Sequence, residues 1–196
     1  MGSRLAEVAV LLAAVAGDVQ GVNRWRYLRQ LSGIEELVEA VTFCHYLRHQ
    51  SLMGFDDAAE LLAKLCEDGA APPPADAPAD EMQVDAPAAI PLLPDEFVLG
   101  LFDLSGELMR FATTSAALTG RLAGAGRTVV ADVQALGSFF EMLPQQPDRT
   151  WRFKMDTLRA SVRKVERVGY GLRVRAGEMP RGWVPDARDS EPSSPV

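Results

Sequence analysis

The sequence predicts an all-α protein, an antiparallel helical bundle of about six helices, and three observations predict it. Outside its proline-rich stretches the 196-residue chain is built mostly from Ala, Leu, Val, Arg and Glu, residues that enter a helix at little cost. Apolar side chains recur at three- and four-residue spacings over long windows instead of alternating. No Asn-Gly or Asp-Gly joins two alternating runs, and Thr, Ile and Tyr are scarce, so strands lack both their turns and their usual residues. At 47% hydrophobic the chain can bury one real core, and a single helical domain is expected over 1–186.

The elements follow in order. Residues 4–30 carry a helical pattern, with Gly17 and Gly21 as weak points. A second helix is predicted from Ser32, as N-cap, to about Gln50. FDDAAELLAKLC, 55–66, places acids in the first turn of a short third helix, where the helix dipole favours them. Most of the 13 prolines fall at 72–94 or after 184. The acidic Pro/Ala segment at about 68–93 has the composition of a disordered insert, and 187–196 that of a disordered tail. Pro94, Asp95 and Glu96 open a fourth helix that continues to Gly120. A fifth covers about 127–143 and stops before Pro144, and the longest spans 148–175.

Charge and cysteine usage narrow the class. The net charge of −7 and pI near 4.9 argue against a broad nucleic-acid footprint. The average conceals a basic last helix that carries Arg149, Arg152, Lys154, Arg159, Arg163, Lys164 and Arg167. Cys44 and Cys66 make neither a metal spacing nor a disulfide framework, which suits a reducing compartment. The apolar run Val8 to Ala16 is too short to span a membrane, and Glu7 interrupts any secretory signal. Ala6 breaks the myristoylation pattern. The expected location is cytoplasmic and nuclear, with no membrane partner.

The acids on two helices carry the chemistry. On the second helix Ile34, Leu37, Val38 and Val41 form an apolar face. Glu36 and Glu39 lie opposite, among Ala40, Phe43 and Leu47, with Glu35 at the edge as the solvated member. On the fourth, Phe97, Leu101, Leu104, Leu108 and Phe111 make the core stripe. Asp103 and Glu107 share another face with Gly100, whose missing side chain leaves room beside them, and Arg110 flanks that face. Unpaired carboxylates raise one another's pKa, so such a group is separated, bridged by arginine or holding a cation. Mg²⁺ suits it, because that ion takes one or two carboxylates and keeps waters for a phosphate substrate. Pairing of Glu36 and Glu39 with Arg29, Arg110 or last-helix arginines is the plainer alternative.

Three blocks, EELVEAVTFCHYLR at 35–48, DLSGELMRFATTSA at 103–116 and TLRASVRKVERVGYGLRVRAGEMPRG at 157–182, together resemble the translin superfamily. They are nearer to its factor X branch than to translin itself. The resemblance implies a seven-helix bundle that joins translin in a hollow hetero-octamer, and a Mg²⁺-dependent endoribonuclease for single-stranded RNA in small-RNA or tRNA processing. DNA is a further possible ligand. It also implies that the family's E-x-x-E falls on Glu36 and Glu39, and its D-L-[ST]-G-E on Asp103 and Glu107. Asp103 and Glu39 would be metal ligands, and Glu36 and Glu107 a ligand or a water-activating base. Against the family pattern, the long helix expected ahead of 4–30 is missing, and an exposed apolar groove is expected in its place.

Competing readings stay open at this level. A non-catalytic RNA-binding or scaffold subunit would carry the same motifs. The E-E-x-x-E run also resembles all-α nucleotide pyrophosphatases, which expect E-x-x-D on the next helix where this chain has D-x-x-x-E. A helical interaction module would bind no metal. Arg159, Arg163 and Arg167 recur at helical spacing and are candidate RNA contacts, or a solvated face. His45 is expected to be a buried structural histidine, and Trp25, Trp151 and Trp183 packing residues. The G-x-G of LAGAGRTVV lacks the strand and the Gly-Lys of a phosphate loop.

Overall fold

A computed structural model describes residues 2–27, 29–70, 88–123 and 128–178, and among these it contains six α-helices and one 3₁₀ helix. No strand occurs among the described residues. Helix α1 spans Gly2–Ala16, the 3₁₀ helix Gly21–Arg26, α2 Ser32–His49 and α3 Phe55–Gly69. Helix α4 spans Pro94–Thr119, α5 Val129–Met142 and α6 Arg149–Glu178. No described helix is long and apolar enough to cross a membrane. The centre of the acidic insert (71–87), the tail 187–196 and Trp183 lie outside the described residues.

Local chemistry sets the helix ends. The two predicted weak points break the first helical region: α1 stops at Ala16, and Gly21 turns the chain at φ 51°, a conformation that glycine adopts freely. The Gln20 amide holds this corner by donating to Ala16 O (2.6 Å) and Ala89 O (2.8 Å). Ser32 does not cap α2. It lies inside the helix, and its hydroxyl donates backward to Arg29 O at 3.2 Å. At the start of α4, Glu96 Oε2 accepts from Leu93 N at 3.0 Å, the glutamate half of a capping box. Asp148 caps α6, its Oδ2 accepting from Thr150 N (2.8 Å) and Trp151 N (3.1 Å).

The chain forms two compact units, residues 1–42 with 53–101, and residues 43–52 with 102–196. In the first, α1 packs on α3, and Gly69 lets the end of α3 approach the Ala9 and Val10 backbone. The predicted face Ile34, Leu37, Val38 and Val41 meets Ala58, Leu61, Leu62 and Leu65 of α3, closed over by Leu92. Phe55 sets its ring edge-on to Phe97 at 5.5 Å. A buried ion pair joins the 3₁₀ helix to α4: Arg24 Nη2 donates to both Glu96 oxygens at 2.5 and 2.6 Å.

The second unit is organised by an α5–α6 hairpin. Gln134 bonds Glu166, Gly137 faces Val162 and Glu141 bonds Arg159, so rising numbers on α5 meet falling numbers on α6. The two helices are therefore antiparallel. Phe102 stacks on Phe140 (3.9 Å between ring centroids) and receives the edge of Trp151 at 5.0 Å. Inside the unit Tyr46, fully buried, donates to Asp132 Oδ2 at 2.8 Å and meets Phe111 edge-on.

Candidate functional site

In α2 the acid pair is split by exposure. Glu36 faces solvent, while Glu39 is half-buried one turn further on. Glu35, expected to be the solvated member, is half-buried as well. This rotation follows from packing: the 34/38/41 row seats on α3, and α4 comes close against the Glu35 side. Gly100 of α4 marks that approach. A Cβ built there would stand 2.6 Å from Val38 Cγ1 and 2.8 Å from the Glu35 carbonyl oxygen. Gly100 therefore does not leave room for acids, as the sequence pattern suggested. Its missing side chain admits α2.

On α4 the predicted stripe is confirmed, with Phe97, Leu101, Leu104 and Leu108 buried and Phe111 half-buried. Asp103 and Glu107, four residues apart, lie on one face of α4 as half-buried carboxylates between these apolar rows. Each has a cation beside it. Lys154 of α6 reaches Asp103 Oδ2 at 2.6 Å, and Arg110 lies 3.2 Å from Glu107 Oε1 across one helical turn. The two bridges differ in setting. The Arg110 side chain is 72% exposed, so its bridge is weak and screened, whereas Lys154 is 15% exposed.

Lys154 is the site residue that the sequence reading did not single out. It stood in a list of basic residues on the last helix, and nothing in local spacing joined it to a residue 51 positions earlier. A weak signal was available: Lys154 precedes Met155 and Leu158, the two most buried apolar residues at the start of α6, so it flanks the inward face.

The donor set on α4 suits a hard divalent cation, since it offers carboxylate oxygens and no thiolate or imidazole. Among the described residues no group of three or more His, Cys, Asp or Glu side chains is arranged to hold a metal ion.

The three arginines proposed for RNA occupy α6 in the α5–α6 hairpin. Arg159 is engaged by Glu141, with Nε at 2.6 Å and Nη2 at 2.9 Å, and by Asp156 at 3.4 Å. That hydrogen bond holds the Glu141 carboxyl below its ordinary value and raises Arg159. Arg163 and Arg167 are exposed. Between the two helices lies an open groove of about 590 Å³, lined by Gly137, Leu158 and Val162 together with Gln134, Ser138, Glu141, Arg159, Arg163 and Glu166, so it carries both signs of charge.

Two further sequence readings need correcting. His45 is not buried: it is half-exposed, its Nε2 lies 3.2 Å from Ser51 Oγ, and its ring stacks on His49 at 4.5 Å. Trp25 is 65% exposed and packs little, unlike Trp151.

Residues 1–176 match the Translin family. The chain belongs to the translin family. Within it, the similarity is to Translin-associated protein X, at 28% identity over 193 residues to the mouse protein and equally to the rat protein. Each of those alignments covers 94% of this chain and 63% of the relative. Translin-associated protein X of Pongo abelii is 28% identical over 179 residues, covering 88% of this chain and 59% of the relative. The chain thus spans about three-fifths of the length of these relatives.

Proposed function

We propose that this translin-family chain is the acid-bearing subunit of a Mg²⁺-dependent endoribonuclease, formed with translin and cutting single-stranded RNA in small-RNA or tRNA processing. The observation that carries the reading is the α4 face. Asp103 and Glu107 present half-buried carboxylates at i,i+4 in an apolar wall, at the positions of the family's D-L-[ST]-G-E motif. Glu36 and Glu39 of α2 complete the set by motif position. The partner is carried over from the name of the mouse and rat relatives, Translin-associated protein X.

In this reading Asp103 and Glu39 hold the cation, while Glu36 and Glu107 hold it or take the proton of the attacking water. A Mg²⁺ ion so held supplies Lewis-acid polarisation of a phosphoryl oxygen and a more acidic bound water. Arg163 and Arg167, exposed on α6, bind the phosphodiester backbone, and Arg159 does so once released from Glu141. Such contacts hold RNA without reading its sequence.

The test is cleavage of a labelled single-stranded RNA by the chain co-expressed with its translin, with Mg²⁺ or with EDTA. Cutting is expected with Mg²⁺ alone. Glu39→Ala and Asp103→Ala are expected to lower the rate by more than about 100-fold, beyond the range of an outer-shell change, with assembly intact. A complex that assembles and cuts nothing overturns the catalytic reading.

A second reading, a non-catalytic RNA-binding subunit, is favoured by one observation. The two α4 acids are already matched by Lys154 and Arg110. RNA binding that persists without cleavage, and is indifferent to EDTA, would establish it.

A further inference from the structure

We propose that Lys154 is the resident counter-cation of Asp103, occupying the carboxylate in the absence of a divalent ion and giving way when one binds. The inference rests on the metal-site reading of Asp103 above and extends it to α6. Three features carry it. The Lys154 ammonium sits 2.6 Å from Asp103 Oδ2, in direct ion-pair contact. The Lys154 side chain is 15% exposed and the Asp103 carboxylate 39% exposed, so the carboxylate stays open to solvent on one side. The lysine stem has four rotatable carbons and a strongly hydrated point charge, so the ammonium withdraws more easily than a planar guanidinium.

Without a partner the Asp103 charge would lie half-buried beside an apolar wall, a modestly unfavourable apo state. Lys154 offsets that charge. The same contact sets a competition. A divalent ion at Asp103 must displace one ion-pair partner, so its affinity is lower than the carboxylate alone would give.

Two measurements on the full 196-residue chain test this. The first is calorimetric titration with Mg²⁺ or Mn²⁺ alone. Lys154→Met, which keeps the packed stem and removes the charge, is expected to bind the ion about threefold or more tightly, the scale of one partly exposed ion pair. Lys154→Arg, whose guanidinium withdraws less easily, is expected to bind the ion no more tightly than wild type. Should the Met variant fail to fold by circular dichroism, Lys154→Gln takes its place.

The second measurement needs no substitution. The chain has three lysines, Lys64, Lys154 and Lys164, and Lys64 and Lys164 are exposed, so peptide mass spectrometry after limited acetylation reads each separately. Adding Mg²⁺ is expected to speed acetylation of Lys154 relative to the other two. Unchanged or weaker ion binding by Lys154→Met, or acetylation of Lys154 indifferent to metal, overturns the proposal. Asp103→Asn separates the two failures. If it loses ion binding while Lys154→Met changes nothing, Asp103 remains a ligand and only the role of Lys154 fails. If it binds as well as wild type, the metal-site reading fails and takes the proposal with it.

Discussion

Two ion pairs of nearly equal length, Arg24–Glu96 in one unit and Lys154–Asp103 in the other, have different surroundings. The first is sealed, with side chains 6% and 11% exposed, and its glutamate also caps the first turn of α4. The second is open on its acid side, and its base is a lysine on a long flexible stem. A sealed pair cannot exchange partners without unfolding its surroundings. An open one can, and this is why the Asp103 pair belongs to the functional reading and the Glu96 pair to the structural one. Distance does not separate them. Exposure and the identity of the base do.

The largest effect should come from breaking the sealed pair. Arg24→Met strands a buried carboxylate, and urea unfolding should lose about 3–5 kcal/mol. Arg24 already carries two buried nitrogens, Nε and Nη1, without hydrogen-bond partners, so the pair is imperfectly satisfied as it stands. The double replacement Arg24→Met with Glu96→Leu should therefore recover part of the loss. No recovery would mean that the capping contact to Leu93, and not the pair, carries the stability. Next comes Gly100→Ala, whose added methyl meets Val38 and the Glu35 carbonyl, at about 1–3 kcal/mol by the same unfolding measurement. Val38→Ala should not fully rescue it, because the carbonyl contact remains.

Opening the second pair should cost less. Lys154→Met in EDTA should lose about 1 kcal/mol or less, given how exposed Asp103 is. A loss near that of Arg24→Met would collapse the distinction between the two pairs.

The smallest effect concerns pH. Glu141 and Asp148 both have folded-state pKa values below their ordinary ones, through hydrogen bonds from Arg159 and from the Trp151 backbone respectively. Each adds stability that is present above its ordinary value and lost as pH falls through its depressed folded value. The start of α6 should therefore loosen as pH falls through that depressed value. Amide exchange at Thr150 and Trp151 should rise over the same range, and Asp148→Asn should abolish this response.

The sequence carried most of the local structure, because helix ends depend on residues close by. The core stripe of α4, the α3-facing row of α2 and the break between Gly17 and Gly21 were legible from periodicity and glycine placement. The misreadings at Gly100 and Asp103 share a physical cause: a partner far away in the chain. Ser32 offered a cap, but a backbone turn at Leu31 supplied the helix start instead. Gly100 looked like space and proved to be a contact. At the candidate site, the family motif marked Asp103 and Glu107, yet the cation matched to Asp103 comes from another helix, which no wheel drawn on α4 contains. His45 was misread because an apolar neighbour on a helix face does not guarantee burial near the helix end.

The Tyr46–Asp132 hydrogen bond spans 86 residues, and that separation sets a schedule during synthesis. At the usual elongation rate of roughly 5–20 residues per second, Tyr46 is made about 4–17 seconds before its partner. Through that interval Tyr46 stands without the α5 carboxylate that later accepts its hydroxyl. A nascent chain halted after Tyr46 has emerged and before Asp132 has would present this side chain to chaperones, and release from them should coincide with the emergence of α5.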